Sequence, residues 1–184
     1  MKGLRLVVIT LLCTLTMYAQ EAKKDSETVK TKMDVFASKT GIITKFTDYN
    51  LTGIKSSYGV KTETRIRKIN SGDLEGYFYQ IEKPGKYSKS TASIAYLDLV
   101  ELIKALESLK VQEEADVIMN PDYLENKFVT EDGFQVGYYV SKGKSTWYLI
   151  LEKYGSDKTL FLKDAEIIKA SFIEAKEKID GLSN

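Results

Sequence analysis

The chain has 184 residues, 29% of them charged, with 27 basic against 26 acidic side chains, no histidine and a single cysteine. That near balance excludes a global electrostatic pull toward nucleic acid or an anionic membrane. Without histidine, and with the one cysteine near the N-terminus, the Ser-His-Asp and Cys-His nucleophile systems and the usual zinc sites are absent.

The first segment, MKGLRLVVITLLCTLTMYAQ, places Lys2 and Arg5 ahead of an apolar run from Leu6 to Leu15 and then turns polar after Ala19, which is the layout of a secretory signal peptide. The run is shorter than the ~20 residues a bilayer span requires, so no stable membrane insertion is expected once it is removed. Cleavage after Ala19 removes residues 1–19, and losing Lys2 and Arg5 takes the formal charge from +1 to −1. Cys13 lies inside the removed segment behind Leu12, where a lipidation site wants a small residue, so neither a lipid anchor nor a disulfide is expected. The fold must then rest on its core, and the protein is expected in the periplasm or outside the cell. This segment, with its YAQ end, resembles those of exported proteins of Bacteroidetes-type bacteria, and the domain behind it is similar to uncharacterised exported proteins of that group. The resemblance rests on layout, carries no catalytic motif and implies no activity.

Residues 20–34, QEAKKDSETVKTKMD, offer little to bury and read as a charged flexible leader or a frayed helix, with folded structure beginning near Val35. A single domain is expected over 35–184. IITKFTDY, VKTETRIRKI, LEGYFYQIE and STASIAY read as four strands, the third following the turn at Asn70 to Asp73. Asp98, with Glu101 three residues on, reads as the cap of LVELIKALESL, whose Leu99, Leu102, Ile103, Leu106 and Leu109 share one stripe.

The pattern then repeats. YLENKFVT and FQVGYYV flank Glu131-Asp132-Gly133, where Asp-Gly suits a hairpin turn needing positive φ; STWYLILEK and TLFLK follow, and Asp164 caps a last helix with Ile168, Phe172, Ala175 and Ile179 on one face. Tyr77 aligns with Trp147, Glu82 with Glu152 and Lys83 with Lys153 at one spacing, and Asp98 with Asp164 and Leu106 with Phe172 at a slightly shorter one. The expected fold is α+β, mainly antiparallel sheet, from two tandem ββββα units over about 35–112 and 117–181, with both amphipathic helices on one sheet face. The beta-lactamase inhibitor protein and the TATA-binding fold offer an architectural analogy, which assigns no function.

No phosphate loop, dinucleotide fingerprint or calcium loop is present, and no cofactor or metal is called for. Two carboxylates could still support a hydrolase such as a glycosidase, with Glu75 and Glu82, or Asp116 and Asp122, as candidate pairs. Arg65, Arg67 and Lys68 form a small cationic cluster that reads as the solvated side of a strand.

Alternation puts Tyr77, Tyr79 and Ile81, with Trp147, Leu149 and Leu151, on the face under the helices. The opposite face carries Phe78, Gln80, Tyr148 and Ile150, with Tyr139 from a neighbouring strand, and is too apolar for a merely solvated surface. Cover by the leader, loops or second unit would explain it, as would a partner or dimer surface, or a pocket for a small apolar or sugar ligand. The expected function is a non-catalytic exported binding protein that uses Phe78, Tyr139, Tyr148 and Ile150 toward an unknown protein partner or such a ligand. A structural envelope protein is a further alternative.

Overall fold

The computed structural model describes residues 30–85, 88–155 and 157–183; the signal-peptide segment and Cys13 lie outside them. In chain order the elements are α1 (Lys32–Ala37), β1 (Thr44–Leu51), β2 (Glu63–Ser71), β3 (Leu74–Lys83), β4 (Ser90–Ala95) and α2 (Tyr96–Met119), then β5 (Leu124–Val129), β6 (Gln135–Ser141), β7 (Lys144–Ile150), β8 (Thr159–Leu162) and α3 (Ala165–Ser183). The strands form two antiparallel sheets in sequential order, β1-β2-β3-β4 and β5-β6-β7-β8. Each sheet is followed by one long helix, which is the tandem ββββα architecture expected.

Turn chemistry sets the register. Ser71 pairs with Leu74 and Ser141 with Lys144, so both central hairpins close in two residues. Lys142 and Gly143 sit at φ 52° and 69°, the positive pair that matches the twist of the flanking strands. Gly133 adopts φ 88° in the turn before β6, and a Cβ there would lie 2.6 Å from the Lys153 Cβ, so both backbone and space demand glycine.

With registers fixed, alternation sorts the side chains. Ile66 pairs with Tyr79 and Tyr79 with Ile94 across the first sheet; Tyr138 pairs with Trp147 and Trp147 with Leu162 across the second. All are buried and meet Leu99, Leu102 and Leu106 of α2 and Ile168, Phe172 and Ala175 of α3 in one continuous core. Each such aliphatic or aromatic side chain contributes about 1.5–3 kcal/mol by leaving water.

The two units interlock in that core. α2, from the first unit, lies along β5, β6 and β7 of the second, where its Glu113 accepts from Trp147 Nε1 at 2.8 Å and its Asp116 from the Tyr138 hydroxyl at 2.5 Å. α3 returns to the first sheet, where Tyr79 bonds Ser171 at 2.6 Å and meets the Phe172 ring edge-on. Burial holds the Tyr79 hydroxyl well above the usual phenol range.

Two expectations are corrected. Asp164 does cap α3, accepting from Ile167 N at 3.1 Å, but its counterpart Asp98 does not cap α2. That helix starts earlier, at Tyr96, with Ala95 at the N-cap and no side-chain capping bond. Asp98 lies in its first turn, buried, and binds Lys32 Nζ at 2.6 Å. Ordered structure also begins before Val35: Thr31 and Asp34 form a reciprocal capping box at the start of α1. The leader residues from Thr31 are therefore part of the fold, because α1 has an apolar surface to cover.

Candidate functional site

α1 packs on the outer face of the first sheet, the side away from α2 and α3. Phe36 meets Phe78 edge-on, and Gln80 Nε2 lies 3.4 Å from the Met33 sulfur. Phe78 and Ile69 are consequently buried in a small cluster separate from the main core. Beyond α1 the same face is a salt network. Arg67 holds Asp48 through two bonds of 2.8 and 2.7 Å, and Arg65 binds Gln80 and Glu82 at 2.8 and 3.1 Å. The cationic cluster is thus neutralised by its own strands. The Arg67 guanidinium holds Asp48 below the usual carboxylate range, and Lys89 with Arg65 does the same to Glu82.

The second sheet differs. Its helices lie on the Trp147 side, and Tyr139, Tyr148 and Ile150 occupy the other. Tyr148 is nonetheless buried, fixed by a 2.6 Å bond from its hydroxyl to Glu125, and burial and that carboxylate push the phenol far above its ordinary value. Tyr139 and Ile150 are half-buried. Of the four residues expected to form a binding face, Phe78 and Tyr148 are therefore corrected to packing positions, and Phe78 stands on a different sheet from the rest.

Residues not singled out from the sequence complete the surface. Tyr123 stacks on Tyr139 with ring centroids 6.2 Å apart, Val129 is 46% exposed, and Tyr58 meets Phe161 edge-on beside β8. The alternation in YLENKFVT already put Tyr123, Glu125, Lys127 and Val129 on one side; which side depended on the pairing of Glu125 with Tyr139. Between Val129 and Ile150 sits Gln135, whose Oε1 is buried with no hydrogen-bond partner among the described residues.

Of the acids considered for hydrolysis, Glu75, Glu82 and Asp116 are engaged by neighbouring side chains. Glu75 and Glu82 alternate to opposite faces of β3. Lys68, Tyr77 and Asn70 draw Glu75 down to about 2. Asp116 belongs to Tyr138, and Asp122 lies in the turn before β5.

A cleft of about 300 Å³ opens where the sheets meet, and its walls come from both units. Thr91 and Ser93 of β4 line one side, Phe134 and Leu151 reach it from the core, and Asp132, Glu152 and Tyr154 line the other side. Glu152 accepts from Thr91 N at 2.5 Å, and Asp132 from Lys32 N at 2.9 Å. Burial, ahead of the nearby Asp98 and Glu131 charges, pushes the Asp132 carboxyl above its ordinary value.

Among the described residues no group of three or more acidic, cysteine or histidine side chains could hold a metal, and no helix is long and apolar enough to cross a membrane. No family model matches the chain, and neither a curated protein nor a solved structure does. The class is set by architecture alone: an α+β protein of two interlocked ββββα units.

Proposed function

We propose that this is an exported binding module without catalytic activity of its own, and that it engages a protein partner through the outer face of the second sheet. Export follows from the signal-peptide reading of residues 1–19. One observation carries the site: on the outer face of the first sheet α1 covers Phe78 and leaves only Phe46, at the edge strand, half exposed, whereas on the second sheet Tyr123, Tyr139, Val129 and Ile150 together stand on the side opposite the helices. Rigid tyrosines on a sheet lose little side-chain entropy on contact, which favours them at interfaces.

The test pairs Tyr139→Ala with Ile150→Ala. The double variant should keep a cooperative thermal transition and lose a specific envelope protein that the parent retains in pull-down. Retention of that protein by the variant counts against the face. Concentration-dependent sedimentation of the parent, abolished in the variant, would make the partner a second copy of this chain instead.

A further inference from the structure

We propose that the cleft between the two sheets is a binding site for a neutral saccharide, with the Tyr154 ring as its stacking platform and Thr91, Ser93, Asp132 and Glu152 as its hydrogen-bonding side chains. This site is separate from the sheet face and stands or falls independently of it.

Ser93, Glu152 and Asp132 are each fixed by one bond and retain capacity for another. Ser93 Oγ accepts from Gln80 Nε2 at 3.0 Å and keeps its own O–H to donate. Glu152 commits Oε1 to Thr91 N and keeps Oε2; Asp132 commits Oδ2 to Lys32 N and keeps Oδ1. Side chains already held in place lose little freedom when a ligand arrives, so this arrangement is pre-organised.

The chemistry of the walls selects the ligand. Asp132 and Glu152 outnumber the one ammonium of the lining, Lys153, which disfavours an anion, yet each carboxylate takes a ligand hydroxyl without requiring the ligand to be charged. The hydroxyls of Thr91 and Ser93 both donate and accept, as vicinal sugar hydroxyls do. Phe134 and Leu151 supply an apolar floor. At the mouth, Tyr154 is 65% exposed, with the Lys153 ammonium 5.7 Å from its ring centroid, and it offers a flat apolar face of the kind that packs on the C–H side of a pyranose. The volume lies at the small end of ligand pockets and suits one or two sugar rings.

The test titrates 15N-labelled protein with three neutral trisaccharides, built on glucose, galactose and N-acetylglucosamine, each to about 20 mM, well above a millimolar dissociation constant. At least one should shift the amides of Thr91, Ser93, Asp132 and Tyr154 saturably. Tyr154→Ala, an exposed position whose loss should leave the melting temperature unchanged, should weaken binding about tenfold or more. Ser93→Ala gives a second variant, expected to weaken it by a few-fold. The proposal is overturned if none of the three shifts these amides, if the shifts map elsewhere, or if both variants bind like the parent.

Discussion

Phe36 lies edge-on against Phe78, ring centroids 5.9 Å apart at 64°, and this contact covers Phe78 on the outer face of the first sheet. Gly76 makes room for it, since a Cβ there would come within 3.0 Å of the Phe36 ring. Phe36→Ala should lower unfolding free energy by about 1–2 kcal/mol, and Phe78→Ala, at a buried position, by about 3 kcal/mol or more, both read from urea denaturation. Equal stability for Phe36→Ala would mean that α1 does not pack as described.

Lys32 neutralises Asp98, whose side chain is 9% exposed at the start of α2. Lys32→Ala leaves that carboxylate without its ammonium, compensated only by the helix N-terminus, and should cost about 1–2 kcal/mol. Adding Asp98→Asn should recover part of the loss. A double-mutant cycle measured by denaturation should show a coupling of about 1 kcal/mol, and additivity would remove the pair from the account of α1.

Acid should weaken the first sheet. Asp48 and Glu82 have folded-state values below their ordinary 3.8 and 4.5, so their pairs contribute stability above those ordinary values and lose it as pH falls through the lowered ones. Melting temperature should hold from neutrality to about pH 5 and fall below about pH 4.5. In Arg67→Ala the fall should be shallower, because the pairing that lowers Asp48 is gone.

Asp132 has the opposite sign. Its folded-state value is raised above 3.8, so the folded state binds that proton more tightly and loses stability as pH rises through the raised value. Asp132→Asn, which still accepts from Lys32 N, should raise the melting temperature at neutral pH by about 1–3 °C and leave it unchanged near pH 3. A loss of stability at neutral pH that disappears near pH 3 would mean that the carboxylate is needed in its ionised form.

Tyr148→Phe removes the hydroxyl that donates to Glu125 and should cost about 1 kcal/mol in denaturant unfolding. Glu125, now held below its ordinary value chiefly by that hydroxyl, should titrate closer to 4.5 in carbon-detected NMR. On the proposed function partner binding should survive, because the ring stays in place and that proposal assigns the contact to Tyr139 and Ile150. Loss of binding would return Tyr148 to the contact surface.

Much of the fold was written locally. Asn70 to Asp73 and Glu131 to Gly133 mark turns through residues that tolerate positive φ, and the alternation of Tyr77, Tyr79 and Ile81 selects a buried face whatever lies beyond it. The stripes on α2 and α3 follow from a helical period that no partner can change. Asp164 could be read as a cap for the same reason, since its bond to Ile167 spans three residues.

What only the tertiary structure decided concerns pairs far apart in the chain. Asp98 looked like Asp164 and was taken by Lys32, sixty-six residues earlier, because α2 begins at Tyr96 and leaves Asp98 inside its first turn, within reach of that ammonium. Phe78 and Tyr148 occupy matching positions in the two units, and alternation put both on an outer face. Whether that face met a helix depended on where α1 came to rest. The interlocking of α2 with the second sheet and α3 with the first depends likewise on how two amphipathic surfaces find each other, and the cleft holding Asp132 and Glu152 exists only where the sheets meet. The sequence by itself determined which side chains must leave water; the tertiary structure decided against what they would be packed, because burial requires only an apolar neighbour and does not say which one.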